Sequence, residues 1–282
     1  KYNAIPSVNY VVADSKGGIA YFWNAHMPKR VEGWDRKKIL PGDISETLWK
    51  GWEPVQALPS VINPKSGYVV SANHSPLLAS APADNPKAEN YPASFALDTL
   101  VTNRGLRAQE LYGADTSITR EEFMAYKMDH SYAAGSNVMK MAADFKQVDA
   151  RGDADLKAAL DLVTSWNGAA DMESRAAALA VFTGQAAMGS QMHDAYNREK
   201  AIAALKTTAA LLKTATGRID PKWSEVSRVA RGGKSWPTDG GPDTLRAMYA
   251  AGDLATQKFR NGRAGDTYVA IADWAPDGTY TI

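Results

Sequence analysis

The sequence predicts an α+β fold, with β-prone segments toward both ends of the chain and a helical body between them. Up to about residue 75, strand-forming runs alternate with turn-forming Gly and Pro. From about residue 95, apolar residues recur at helical spacing, and a last β-prone run follows near the C-terminus. We therefore expect a sheet-rich part over about 1–94, a helical body over about 95–262 and a returning strand within about 263–282.

Composition bounds the class of protein. The chain has 282 residues, of which 45% are hydrophobic and 22% charged, so it is long and apolar enough to bury a substantial core. Its net charge of +1 gives no general affinity for nucleic acid or anionic membranes. The absence of cysteine excludes disulfides, thiolate metal sites and cysteine nucleophiles. The longest apolar runs are too short to span a bilayer, so no membrane span is predicted.

The N-terminal part carries the strand signals. Tyr10–Asp14 and Ile19–Trp23 are β-prone and are joined by a polar link that contains Gly17 and Gly18, which predicts a hairpin. Asn63–Gly67 has the Pro and Gly of a tight turn. A further strand is predicted at Gly67–Ala72.

The central part carries the helix signals. Thr119 and Glu122 form a capping box, in which a hydroxyl and a carboxylate satisfy exposed backbone amides. A second helix is indicated by an apolar stripe, which consists of Leu156, Ala159, Leu160 and Val163. Two Ala-rich stretches at 175–192 and 200–215 predict further helices, and 267–272 predicts the returning strand.

Several motifs of known chemistry are absent or incomplete. Gly233-Lys234-Ser235 has the tail of a phosphate-binding loop, but Arg228 stands where that loop requires glycine. The four histidines have no spacing that places two on one helix face, so no histidine metal site is predicted. We reject an Asp129-His130 dyad, because neighbouring residues on a helix point apart.

A longer constellation of residues is informative. Residues 63–76 contain Asn63-Pro64, Gly67, Asn73-His74 and Pro76, and this segment closely resembles the β-chain signature of the penicillin acylase family. Other elements follow the same family in collinear order: Pro6 with Asn9, Ala13-Asp14, Pro28 with Arg30, Trp49 with Gly51, Tyr91-Pro92-Ala93-Ser94, Asn103-Arg104-Gly105 and Trp166-Asn167-Gly168. Each element is weakly specific, but the ordered set covers nearly the whole chain. Residues 231–245 most resemble the branch that deacylates acyl-homoserine lactones and lipopeptides such as aculeacin.

The resemblance implies an N-terminal-nucleophile hydrolase with an αββα sandwich, here with a large helical insertion. In that family a precursor cuts itself and frees a Ser at the start of the β-chain, whose α-amine serves as the base for its own hydroxyl. This chain begins at Lys1 and resembles the C-terminal part of such a β-chain. The resemblance therefore implies that the nucleophile lies outside this chain, which alone should be inactive.

The same resemblance implies partners, substrates and a location. The partners are the remainder of the β-chain and an α-chain from the same precursor. The substrates are small acyl amides, such as penicillins, N-acyl-homoserine lactones or lipopeptide-like amides. Members of this kind are periplasmic or secreted.

Two site residues follow from the resemblance. Asn73 matches the asparagine of the oxyanion hole, where a neutral amide N–H stabilises the tetrahedral intermediate. Arg104 matches the active-site arginine, which orients the Asn and the α-amine, and we expect the two side chains to converge. The alternatives are an Asn73 that only caps the turn before Ser75-Pro76 and an Arg104 on the surface. Arg107, one turn further on, is our candidate for a surface arginine.

No catalytic cofactor is implied. Some relatives place a calcium-binding Asp directly after Tyr-Pro-Ala-Ser, where this chain has Phe95. Calcium takes hard oxygen ligands, which Phe95 does not offer, so a structural Ca²⁺ is disfavoured. The rival interpretation of the whole chain is a non-catalytic or degenerate acylase fragment that serves as a structural or binding module.

Overall fold

The computed structural model describes residues 8–282, so the Lys1 and Pro6 positions of the family resemblance lie outside the described residues. The chain divides into two compact units. The first comprises the residues up to Val101 together with Ile271–Ile282, and the second comprises Thr102–Ala270.

The first unit contains a three-stranded antiparallel sheet. Strands β1 (Val8–Ala13), β2 (Ile19–Asn24) and β3 (Ser60–Ile62) pair in the order β1-β2-β3. The predicted hairpin is therefore confirmed. Tyr21 of β2 is 1% exposed and packs in a small apolar cluster with Val61 and Ala79, because β2 is the central strand.

The predicted turn at 63–67 is confirmed, but the predicted strand at Gly67–Ala72 is wrong. The Gly67 N–H donates to the Pro64 carbonyl, and Gly67 has a φ of +77°. The following backbone then bonds to residues 79 and 80 instead of a neighbouring strand: Val70 N–H donates to the Ala79 carbonyl, and the Ser80 hydroxyl donates to the Tyr68 carbonyl. This segment therefore forms a loop although its residues are β-prone. Its bonds to residues distant in the chain decide the conformation, and local β propensity does not.

The second unit is built mainly from helices. They are α1 (Asn103–Tyr112), α2 (Arg120–Lys127), α3 (Asn137–Phe145), α4 (Ala154–Thr164), α5 (Ala177–Met188), α6 (Arg198–Thr216), α7 (Trp223–Val226) and α8 (Leu254–Gln257). The Thr119–Glu122 capping box and the buried apolar stripe of α4 are as predicted. Helix α5 is buried almost throughout and lies at the centre of the largest apolar cluster. Buried apolar area of this extent is the main stabilising term of the unit.

The second unit also contains a sheet that the sequence did not predict within the helical body. Strands β4 (Ser227–Arg231), β5 (Lys234–Pro237), β6 (Met248–Ala251) and β7 (Arg260–Gly265) form a mixed sheet in the order β5-β4-β7-β6. Only the β4–β7 pair is parallel. Gly232 and Gly233, both with positive φ, make the two-residue link between β4 and β5, so the Gly-Lys-Ser fragment belongs to a hairpin.

The returning strand predicted at 267–272 is wrong. Tyr268 is 83% exposed, so the β-prone run has no apolar surface to cover. The nearest strands are β7 before it and a short hairpin of β8 (Asp273–Trp274) with β9 (Tyr280–Thr281) after it.

Helices, antiparallel pairs and one parallel pair make the fold α+β, as the sequence predicts. No helix within residues 8–282 combines the length and apolar character that a bilayer crossing requires.

Candidate active-site residues

Asn73 lies in the first unit and Arg104 in the second, so each is described with its own neighbours. Asn73 is exposed, whereas Ala72, His74, Ser75 and Pro76 on either side of it are buried. Its φ of +59° is left-handed, a conformation that Asn adopts more readily than most residues. The chain therefore presents a single carboxamide at the surface of an otherwise buried segment.

The segment around Asn73 is anchored on its C-terminal side. The Ser75 N–H donates to the Leu100 carbonyl at 2.9 Å, and Nδ1 of His74 lies 3.0 Å from the Ser75 carbonyl. The Ser75 hydroxyl accepts from the Leu77 N–H and thereby caps the 3-10 turn Pro76–Leu78. Ser75 is thus the cap of the 3-10 turn that follows it. These bonds fix the backbone that carries the amide.

Arg104 is the second residue of α1, in the first turn of the helix. Thr102 is fully buried and caps α1, since its hydroxyl accepts from the Gly105 N–H at 3.0 Å. The Asn103 side chain accepts from the Ala133 N–H at 2.8 Å, which ties the start of the helix to the chain after α2. The side chain of Arg104 is 22% exposed, so it is partly buried.

Asp243 is the partner of Arg104, and sequence reasoning missed it. Its side chain is 1% exposed, and Oδ1 accepts from Arg104 Nε at 2.9 Å. Oδ2 accepts from the Asn103 N–H at 2.5 Å and lies 2.8 Å from Nε2 of His193. Nε2 of His193 donates to this oxygen in the tautomer that carries its proton on Nε2. Three hydrogen-bond partners thus surround one buried carboxylate.

The backbone of Asp243 is held as firmly as its side chain. Its carbonyl accepts from Asn103 Nδ2 at 2.8 Å, and its N–H donates to the Tyr249 hydroxyl at 3.1 Å. Burial is the first cause that raises the pKa of Tyr249, and the negative charge of Asp243 adds to it, while Arg104 opposes both. Tyr249 therefore stays protonated at neutral pH.

The loop before Asp243 depends on two glycines at close backbone approaches. A Cβ on Gly240, whose φ is +73°, would stand 1.9 Å from the Arg246 carbonyl oxygen. A Cβ on Gly241 would stand 2.7 Å from the Tyr132 hydroxyl, which donates to the Pro242 carbonyl. The Gly-Gly-Pro-Asp signature therefore has a structural reason: it brings the Asp243 carboxylate to the start of α1.

Arg107 is not the surface arginine that the sequence predicts. Its Nε and Nη2 donate to the two carboxylate oxygens of Asp129 at 3.0 and 2.9 Å, and its Nη1 donates to Glu110 at 3.0 Å. Its side chain is 23% exposed, about the same as that of Arg104. Hydrogen bonding to Asp129 is the first cause that raises the pKa of Arg107. Burial alone would raise the pKa of Asp129, but bonds from Arg107 and from the Ser131 N–H lower it overall.

Phe95, which stands at the position considered for calcium in the sequence analysis, lies in an apolar environment. Phe95 is 4% exposed and packs in an apolar cluster with Ala25, Met27 and Leu58. Nη1 of Arg30 donates to the Ser94 carbonyl at 3.0 Å and to the Phe95 carbonyl at 3.3 Å. The carbonyl oxygens at this turn therefore already face a cation. Within residues 8–282, no cluster of three or more His, Asp or Glu side chains has the arrangement of a metal site.

Comparisons with known proteins bear on the whole chain. The profile of the family described as Penicillin amidase matches residues 1–282. The penicillin acylase 2 proenzyme of Pseudomonas sp. (strain SE83) is 26% identical over 171 residues, which are 60% of this chain and 20% of that protein. The penicillin G acylase of Escherichia coli is 34% identical over 88 residues, which are 31% of this chain and 9% of that protein. The matched part is thus a fifth or less of either relative.

A solved structure gives the corresponding result for the fold. The thermostable penicillin G acylase from Alcaligenes faecalis matches with a TM-score of 0.50 and 17% identity, over 90% of this chain and 52% of that one. At that identity the likeness concerns the fold alone. Together with the helices and sheets described above, it confirms the predicted α+β fold.

Proposed function

The chain belongs to the penicillin amidase family, and on that premise we propose that it forms part of a hydrolase that cleaves linear amide bonds. The nucleophile in this proposal is an N-terminal Ser outside these 282 residues. Its partners are the rest of a β-chain and an α-chain from the same precursor. The assembled enzyme works in the periplasm or is secreted, as we infer from the resemblance.

Asn73 supplies the oxyanion donor in this proposal, and the anchored loop around it is the observation that carries it. A catalytic hydrogen-bond donor lowers the barrier most when it needs no reorganisation during the reaction. The backbone supports this role for Asn73, because the residue is left-handed and lies between buried, hydrogen-bonded neighbours. A carboxamide also donates without a charge that must be desolvated.

Arg104 supplies a fixed positive charge. Asp243 engages its Nε, and an arginine guanidinium carries a delocalised positive charge. A cation in this role favours the neutral form of a nearby α-amine, whose ordinary pKa is about 8, and so keeps it available as a base. Arg104 also offers planar donors that orient carbonyl groups.

The substrate is a small acyl amide, and penicillins, N-acyl-homoserine lactones and lipopeptide-like amides are the three classes to compare. The two relatives named above are penicillin acylases, whereas residues 231–245 resemble the lactone and lipopeptide branch. Gly240, Gly241, Pro242 and Asp243 of that segment form the loop that carries the Asp243 carboxylate. Their presence therefore has a structural reason in addition to any relation to one branch of the family. Hydrolysis rates on one substrate of each class decide among them.

The decisive experiment is the Asn73→Ala substitution in the full-length protein. We expect kcat to fall about a hundredfold to a thousandfold, the effect of removing one oxyanion donor. Asn63→Ala is a matched control, because Asn63 is also exposed and left-handed but accepts a structural bond from the Ile19 N–H. That control should lose stability and keep kcat within about threefold. An Asn73→Ala protein with wild-type kcat would contradict the site, and an inactive wild-type protein would favour the non-catalytic module.

We also propose that the chain needs no structural calcium at the Phe95 turn, since the Arg30 guanidinium donates hydrogen bonds to the Ser94 and Phe95 carbonyls. Thermal unfolding of the full-length protein should keep its midpoint within about 1 °C in EDTA and in millimolar Ca²⁺. The variant Arg30→Ala should unfold at a lower temperature in both solutions. A midpoint that rises by several degrees with Ca²⁺ would contradict this.

A further inference from the structure

Asp243 is a buried carboxylate that is hydrogen-bonded to Arg104, and this contact indicates a positioning role for Asp243. Asp243 lies 139 positions after Arg104 in the chain, yet its Oδ1 is 2.9 Å from Arg104 Nε. Its side chain is 1% exposed, so its bonds to protein donors are shielded from water. Asp243 itself is out of reach of a dissolved substrate, and any effect on the reaction must pass through a residue that it holds.

We infer that Asp243 positions Arg104 for the reaction, with His193 and Asn103 completing the shell of hydrogen-bond partners around the Asp243 carboxylate. This inference rests on the proposed function, in which Arg104 is an active-site residue. A hydrogen bond at Nε restricts rotation of the guanidinium about its last side-chain bonds. It therefore sets the direction of the two terminal amino groups. In an arginine without such a bond, these groups would point in many directions, because the side chain has many rotamers.

The other donors on Asp243 strengthen this assignment. Oδ2 receives the Asn103 N–H and lies 2.8 Å from His193 Nε2, so the carboxylate cannot rotate away from Arg104 without leaving a buried donor unsatisfied. The backbone is fixed as well, by Asn103 Nδ2 at the carbonyl and by the Tyr249 hydroxyl at the N–H. Asn103 and Arg104 are adjacent at the start of α1, so one carboxylate fixes both the helix end and the arginine beside it.

The test is a double-substitution cycle in the full-length protein, with kcat and KM measured on one amide substrate. Asp243→Asn should lower kcat about tenfold to a hundredfold with KM changed less than about threefold, because a misdirected guanidinium stabilises the transition state less well. In an Arg104→Ala background the same substitution should change kcat less than about twofold. Equal losses in both backgrounds would show that Asp243 acts through the fold and not through Arg104, and would overturn the inference.

Arg104→Lys is the second variant, for the case that Asp243→Asn does not fold. Lysine keeps the positive charge but has one nitrogen, which cannot bond Asp243 and also act as the terminal groups of arginine do. We expect kcat close to that of Arg104→Ala. A lysine enzyme as active as wild type would overturn the positioning inference. Wild-type kcat in Arg104→Ala itself would instead overturn the proposed role of Arg104.

Asp129→Asn is the matched control. Asp129 pairs with Arg107 on the same helix and is also largely buried, so its loss should lower stability and leave kcat within about threefold. A loss of kcat as large as that of Asp243→Asn would show that any carboxylate partner of α1 has this effect. That result would also overturn the inference.

Discussion

Helix α1 carries two arginines one turn apart, and they are bound in different ways. Arg107 meets Asp129 through two parallel hydrogen bonds and Glu110 through a third, so Nε and both terminal nitrogens face carboxylates. Arg104 donates from Nε to Asp243 Oδ1. Oδ2 of the same carboxylate accepts from the Asn103 N–H and lies 2.8 Å from His193 Nε2. The side chains of the two arginines are about equally exposed, at 22% and 23%.

The difference separates two uses of the same residue type. In the Arg107 pair the arginine is saturated by its partners, which suits a structural tie between α1 and the chain after α2. In the Arg104 pair, three hydrogen-bond partners hold the Asp243 carboxylate. A carboxylate held in this way can fix the position of one arginine. Burial alone does not distinguish the two residues; the distribution of donors and acceptors does.

The largest contrast should appear in activity. Arg104→Ala in the full-length protein should lower kcat at least about a hundredfold, the magnitude typical of a group that stabilises charge in the transition state. Arg107→Ala should keep kcat within about threefold, because its nitrogens are all engaged with Asp129 and Glu110. Steady-state kinetics of both variants checks this. Comparable losses for both would remove the distinction between the pairs.

The next contrast concerns the loop that carries Asp243. Gly240→Ala should lower the free energy of unfolding by about 3 kcal/mol or more, because the new Cβ meets the Arg246 carbonyl at 1.9 Å in a left-handed backbone. Gly217→Ala is the control, since Gly217 also has positive φ but nothing within 4 Å of its Cβ position. It should cost about 1 kcal/mol from backbone strain. Urea unfolding measures both, and equal costs would contradict the close approach.

The smallest contrast concerns the stability that the Arg107 pair contributes. Asp129→Asn should lower the free energy of unfolding at pH 7 by about 2 kcal/mol, the scale of hydrogen bonds to a charged group. The folded-state pKa of Asp129 is lowered, so its contribution is fully present above the unfolded value of about 3.9 and is lost as pH falls through the folded value. The difference between wild type and variant should therefore shrink below about pH 4. Urea unfolding at pH 7 and pH 3 measures it, and a constant difference would contradict the ionised pair.

Local signals in the sequence predicted local structure well. The hairpin of β1 and β2, the turn at 63–67 and the capping box of α2 each depend on residues a few positions apart. The Gly232-Gly233 link was also a hairpin signal of this kind, but it stood inside a fragment that was compared with a phosphate-binding loop. Strand β7, with two glycines and two arginines, has little β propensity and exists because β4 and β6 pair with it.

The candidate site was predictable only in part. Asn73 and Arg104 came from the resemblance to a family, because no spacing rule singles out one amide or one guanidinium. Asp243 and Asp129 depend on contacts across 139 and 22 positions, which periodicity does not reveal. The Gly-Gly-Pro-Asp run was the one available sign of Asp243, since adjacent Gly and Pro indicate a backbone with a special path.

The central claim is that Asn73 donates to the oxyanion formed during amide hydrolysis. A crystal structure of the processed full-length protein with a phosphonate analogue of the tetrahedral intermediate tests it most directly. The account predicts Nδ2 of Asn73 within about 3 Å of a phosphonate oxygen. A phosphonate seated on the nucleophile with Nδ2 of Asn73 beyond hydrogen-bond reach would contradict it.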